Sequence, residues 1–168
     1  KRAGVAPSIS FGLGTPHEVT LSYYYLATRD LPDYGVPFDA TTRRPNHAYA
    51  KSGAFWGTDR NFDDSDTNIA TLNYLFRISP DTQLRTVIRG ANYKRSYWAV
   101  APQSGAPTAY SLASQAKTRE FDTDNFVFES DFSTAFTLFG MKNEFLAGVE
   151  YLKEDSTRWN LRNLGTAT

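Results

Sequence analysis

The chain has 168 residues, no cysteine, and 18 basic against 18 acidic side chains. Disulfides and thiolate metal sites are excluded, and no net charge draws the chain toward nucleic acid. No stretch reads as a hydrophobic transmembrane helix at a mean hydropathy of −0.48, although a transmembrane β-barrel passes that filter because only alternate residues face lipid. The aromatic content of 15%, with ten Tyr and twelve Phe, favours strand over helix.

In chain order, the pattern predicts strands, tight turns and long loops in alternation. The first strand is expected over about Ser8 to Leu13, with a turn at Gly14-Thr15-Pro16, and the second over about Glu18 to Ala27. A long polar loop follows at about 30–66. The third strand, about Thr67 to Ser79, turns at Pro80-Asp81 into the fourth, about Gln83 to Val100. A second long loop is expected at about 101–123. The fifth strand, about Asp124 to Leu138, turns near Gly140 into the sixth, about Asn143 to Trp159. Tight turns thus fall at one end of the hairpins and long loops at the other. Several strands reach the ~9–11 residues that cross a bilayer, against ~5–6 in soluble sheets. The ends of the sequence carry no leader and no finishing strand, so the expectation is one partial unit spanning 1–168.

Within the strands, apolar and polar residues alternate. Val19, Leu21, Tyr23 and Tyr25 oppose Thr20, Ser22 and Tyr24; Ala70, Leu72, Tyr74, Phe76 and Ile78 oppose Thr71, Asn73 and Arg77. Leu84, Thr86 and Ile88 oppose Arg85 and Arg89, with Val87 among the arginines. Phe128, Phe132, Phe136 and Leu138 oppose Glu129, Asp131 and Ser133, and Phe145, Ala147, Val149 and Tyr151 oppose Gly148 and Glu150. A soluble antiparallel sheet packed on a core shares this code, but strand length and loop asymmetry favour a segment of a large all-β, up-and-down transmembrane barrel. In that setting "VTLSYYYLATRD" climbs through lipid, reaches the interface at its tyrosines and ends in water, with Tyr24 toward the lumen. The inward charge set is Arg77, Arg85, Arg89, Glu129, Asp131 and Glu150. No nucleophile–base pair or phosphate-cradling loop stands out, so no enzyme is expected. His17 in a turn and His47 in a loop have no ligand-spaced neighbours. Asp59, Asp63, Asp64 and Asp66 lack the spacing of a calcium loop and read as a solvated acidic approach to a strand, so no metal site is expected.

The segments "RDLPDYGVPF", "FWGTDRNFDDSDTNIATLNYLF", "SPDTQLRTVIRGANYKRSYW" and "NEFLAGVEYLKEDS", taken in this order, resemble the barrel of TonB-dependent siderophore receptors of the ferric-catecholate type, over about Gly14 to Trp159. The resemblance implies a large plugged barrel in the outer membrane that binds a ferric siderophore and imports it with energy from TonB. Barrels of this class have about 22 strands, so six strands without a plug or TonB box imply a middle slice of the wall. The partners so implied are the ferric siderophore as transported ligand, outer-membrane lipid, and the TonB complex acting through the plug; no resident cofactor is implied. A ferric catecholate is anionic and aromatic-rimmed, so the ligand-binding candidates are Tyr34, Arg43, Arg44, Phe55, Trp56, Arg60, Tyr97 and Trp98. The inward charge set would pair across the wall or meet the plug. Two other classes share the strand code: a passive outer-membrane channel or adhesin barrel, and a soluble all-β binding module.

Overall fold

A computed structural model of the chain describes residues 1–36, 41–45, 55, 57–100 and 116–159. They form one antiparallel sheet of β1 (Arg2–Val5), β2 (Ser8–Phe11), β3 (His17–Asp30), β4 (Phe62–Ser79), β5 (Thr82–Val100), β6 (Ala116–Leu138) and β7 (Met141–Trp159). The spatial order is β1-β3-β4-β5-β6-β7, with β2 also on β3. Every strand from β3 onward therefore pairs with its neighbour in sequence, as the up-and-down reading requires.

β1 and β2 are halves of one edge strand. Arg2 faces Thr28 and Ser8 faces Ser22 in a single continuous register. Pro7 interrupts the ladder because it has no N–H, yet its carbonyl still accepts from Tyr23 N at 3.0 Å. The half at Arg2–Val5 was not expected from sequence.

The turns follow local chemistry. Gly12 (φ 67°) and Gly14 (φ 75°) shape the β2–β3 link, and Thr15 Oγ1 donates to the Gly12 carbonyl at 2.8 Å. A Cβ on Gly12 would collide with the His17 carbonyl. Pro80-Asp81 close β4–β5 beside a register shift between Arg77 and Ser79. Phe139 (φ 56°) and Gly140 (φ 75°) close β6–β7 as a two-residue turn with both residues left-handed, the form that suits the strand twist.

Three expectations are corrected. β4 begins at Phe62 and β6 at Ala116, so the loops expected at 30–66 and 101–123 give way to strand at their C-terminal ends. Asp63, Asp64 and Asp66 accordingly lie in β4 and not in a loop. His17 is not in the turn: it opens β3, stacks on Phe76 at 4.4 Å, and shares a 2.7 Å hydrogen bond through Nδ1 with the Tyr74 hydroxyl.

Register assigns the two faces. On one, Val19, Tyr74, Thr86, Ser130 and Val149 form a cross-sheet row, followed by Leu21, Leu72, Ile88, Phe128 and Tyr151, then Tyr23, Ala70, Gly90, Phe126 and Lys153. The next rows turn polar: Asn68, Asn92, Asp124 and Asp155, then Asp66, Lys94 and Asp122. The apolar belt ends sharply at the Tyr23–Phe126 row. From Phe126 to Leu138, β6 rises roughly 40 Å at strand spacing. A tilt near 45° gives a belt about 28 Å tall, close to the ~25 Å apolar band of transmembrane barrels. Among the described residues, the buried hydrophobic side chains are only Ala91, Ala99 and Val100, while Leu21, Ile88, Phe126, Phe136, Phe145 and Val149 are exposed. Among the described residues no helix is long and apolar enough to cross a membrane, which says nothing of strands. Among the described residues the sheet has no second layer, and its apolar face is left uncovered.

Candidate functional site

The opposite face carries the inward charge set. Direct cross-strand partners share a face, and the ladder places Arg85 opposite Asp131, Val87 opposite Glu129, and Glu129 opposite Glu150. Arg77 lies in register with Gln83 on this same face. All six residues therefore line one wall. Their roles differ. Arg77 is held at the turn end, donating to Glu18 Oε2 at 3.0 Å and to the Thr15 carbonyl at 3.0 Å. Arg89 donates to the Tyr93 hydroxyl at 3.0 Å. Arg85 reaches Glu129 only at 3.9 Å. The Asp131 carboxylate lies over Gly148, whose missing Cβ leaves the space. Glu129, Asp131 and Glu150 thus crowd around a single long ion pair.

Above the belt, the same face gathers a second cluster. Arg95 grips Asp63 with two hydrogen bonds, Nε to Oδ1 at 2.7 Å and Nη2 to Oδ2 at 2.6 Å. Its guanidinium lies 5.2 Å from the Tyr97 ring centroid. Tyr97 meets Phe121 at 6.4 Å in a tilted pair and faces Arg119 across the ladder. The hydrogen bonds that Arg95 donates to Asp63 raise the Arg95 pKa, with Asp63's charge, Tyr97 and Tyr34 adding to it. Arg119 makes no ion pair among the described residues, so the cluster offers an uncommitted cation beside two aromatic rings. Such a surface suits an anion with aromatic edges.

A clamp fixes the height of this cluster. Beyond the last β4–β5 pair, Phe62 with Trp98, the Asn61 side chain takes over from the ladder. Its Oδ1 accepts from Val100 N at 3.1 Å and from Thr58 Oγ1 at 3.0 Å. Asn61 is 5% exposed. Phe55 closes over Gly57 beside it.

The expected ligand-binding residues thus separate. Tyr97 belongs to the cluster, while Tyr34 is exposed in the segment that follows β3. Trp98 lies on the opposite, outward face, in register with Phe62 and Thr118. Phe55 sits in the clamp. Arg43 (φ 53°), Arg44 and Arg60 are exposed and form no ion pair among the described residues. Trp56 and His47 lie outside the described residues. Arg95, Arg119 and Phe121 were missed; the signal for Arg95 was its two-residue spacing from Tyr97, and that for the others was the alternation R-x-F at 119–121. Among the described residues no group of three or more His, Cys, Asp or Glu is disposed to hold a metal. Asp63 is taken up by Arg95, while Asp64 and Asp66 face Arg29 on the other side of the sheet at 3.7 and 2.8 Å.

A belt of membrane height, tight turns at one end and an aromatic–basic cluster at the other define the chain as part of the wall of a large transmembrane-type β-barrel. No family model matches it. It is 28% identical over 180 residues to the catecholate siderophore receptor Fiu of Escherichia coli K12, covering 96% of this chain and 24% of that protein. It is 32% identical over 168 residues to the probable TonB-dependent siderophore receptor PiuA of Acinetobacter baumannii, covering 94% of this chain and 22% of that one. The crystal structure of the ferric-catecholate import receptor Fiu from E. coli K12, in its open form, superposes with a TM-score of 0.81 at 27% identity, over 96% of this chain and 27% of the other. Over nearly its whole length the chain is thus similar to a partial barrel segment of TonB-dependent siderophore receptors. It spans about a quarter of the length of the curated relatives it matches.

Proposed function

We propose that this segment forms part of the wall of an outer-membrane receptor that binds a ferric catecholate siderophore and imports it in a TonB-dependent manner. The observation that carries this reading is the cluster of Arg95, Tyr97, Arg119 and Phe121 above the belt on the inward face. Arg119 would offset the anionic charge of the chelate while Tyr97 and Phe121 stack on its rings; Arg95, committed to Asp63, would orient Tyr97. The iron would travel inside its chelator without side-chain ligation. The wall charges at Arg85, Glu129, Asp131 and Glu150 would meet the plug below, and the plug would link the barrel to TonB. The relatives' names support transport over catalysis.

The test uses the full-length receptor and quenching of its intrinsic fluorescence by a ferric catecholate. Tyr97→Ala and Arg119→Ala should each weaken binding about tenfold, the loss of roughly 1.4 kcal/mol that one stacked or charge-assisted contact supplies. Trp98→Ala, on the outward face, should bind like wild type. The reverse pattern would move the site to the outside of the wall. A passive channel would bind no chelate tightly in any variant, and a soluble module would stay monodisperse without detergent.

A further inference from the structure

The turn end of the sheet carries an anomaly at the β6–β7 hairpin. Phe139 holds φ at 56° in the two-residue turn, a left-handed backbone that suits Asn or Gly and that a bulky side chain resists. The side chain recovers nothing from the rest of the chain: it is 88% exposed, the highest value for a large hydrophobic residue among the described residues. Leu138 and Met141, the closing pair of the ladder, flank it and are exposed as well. A strained backbone that presents an uncovered aromatic ring at a turn tip points to something outside the chain that covers it.

The two strands indicate what that is. Below the Phe126 row, the outward positions of β6 down to Leu138 and of β7 down to Met141 carry no charge. The apolar belt therefore runs into this tip without a charged rim, whereas at the loop end it stops at Asp124, Lys153 and Asp155. The other two turns carry Thr15 and Asp81, so this end of the sheet meets a hydrated layer and not hydrocarbon. An aromatic ring that continues a belt of membrane height, at a level shared with polar turn residues, matches the boundary between acyl chains and headgroups. Short turns of such barrels lie on the periplasmic side.

We infer that the β6–β7 turn is a wedge that inserts Phe139 into the headgroup–acyl boundary of the phospholipid on the periplasmic side; the inference rests on reading the apolar face as lipid-facing and is independent of the chelate site. The turn itself, and not only the strand ends, then lies in the membrane and fixes how deep this part of the wall sits. Positions 139 and 140 project beyond the Leu138–Met141 pair, and Gly140 fills the second left-handed site. Phe139 is thus the position from which a ring reaches past the end of the belt, and the left-handed backbone is the condition for placing it there.

The experiment uses the full-length receptor refolded into vesicles of phosphatidylethanolamine and phosphatidylglycerol. Phe139→Asn gives this turn its preferred Asn-Gly pair and removes no packing, so a tip in water would raise the urea midpoint of the variant. With the ring in the lipid boundary, the midpoint should fall below wild type instead. Phe139→Trp keeps an aromatic ring at the tip and reports its surroundings. Its added emission, taken as the difference from wild type, should be quenched by phospholipids brominated high on the acyl chain and spared by acrylamide in the water. A raised midpoint for Phe139→Asn, or emission quenched by acrylamide and not by the brominated lipid, overturns the wedge. Emission shielded from both quenchers would mean that protein, the plug or a second copy, covers the tip, and would overturn the lipid assignment.

Discussion

Asn61→Ala should loosen the top of β5 by an amount the structure allows to be estimated. The Val100 N–H is buried, at the end of a strand whose β4 partner has run out, and its acceptor is the Asn61 side chain at 3.1 Å. Truncation leaves that donor without protein partner or easy access to water, which costs about 1–3 kcal/mol. Because Asn61 also holds Thr58 at 3.0 Å, the loss is concentrated where the loop meets the strand. Amide hydrogen exchange reads it directly. If Val100 exchanges through local opening, its rate should rise about 5- to 150-fold, while Ile88 and Leu84 in the belt stay protected. Asn61→Asp keeps the acceptor oxygen and should restore most of the protection. Tyr97 lies only a few residues below, so chelate binding should weaken in Asn61→Ala and recover in Asn61→Asp. Unchanged Val100 exchange in Asn61→Ala would refute the clamp, and with it the account of how the cluster is held at its height.

Gly12→Ala should destabilise the β2–β3 turn by at least about 1–2 kcal/mol, since φ is 67° and the new methyl meets the His17 carbonyl; a lower urea midpoint for the refolded barrel would check it, and an unchanged midpoint would mean the turn relaxes freely. Above the belt, Asp122 is held below the usual carboxylate range by the hydrogen bond from Asn92, then by Lys94. Its folded pKa is depressed, so its contribution is full above the ordinary value and is lost as pH falls from there through the folded pKa. Asn92→Ala should move the Asp122 midpoint upward in an NMR titration, and no movement would remove Asn92 as the cause.

Most of the wall was legible in the chain itself, and the places where legibility failed share one cause. Period-two alternation is visible only where one face meets lipid and the other water. From about Thr67 to Ser79 that contrast is strong, and the strand was read correctly. From Phe62 to Asp66 and from Ala116 to Thr123 both faces lie above the belt and, apart from Phe62 and Phe121, carry mostly polar residues, so the same extended backbone looks like loop. The acidic run Asp63-Asp64-Ser65-Asp66 illustrates the consequence: as a loop it is one charged cluster, and as a strand it sends Asp63 inward to Arg95 and Asp64 and Asp66 outward to Arg29. Trp98 failed in the same way, because its chemistry suited a ligand but its parity faces it outward, away from Tyr97.

By itself the sequence determined that the chain is a series of long antiparallel strands with one apolar face, because side-chain parity and turn residues are local properties. It also determined the β6–β7 turn, where Gly140 permits backbone that other residues resist; Gly12, read as strand, belongs to the β2–β3 turn instead. Only the tertiary structure decided which charges meet, because partnership depends on register across strands distant in sequence. The contacts of Arg95 with Asp63 and of Asp131 with Gly148 are products of register. A shift of one residue in any of these ladders would turn each side chain to the other face and dissolve the inward cluster.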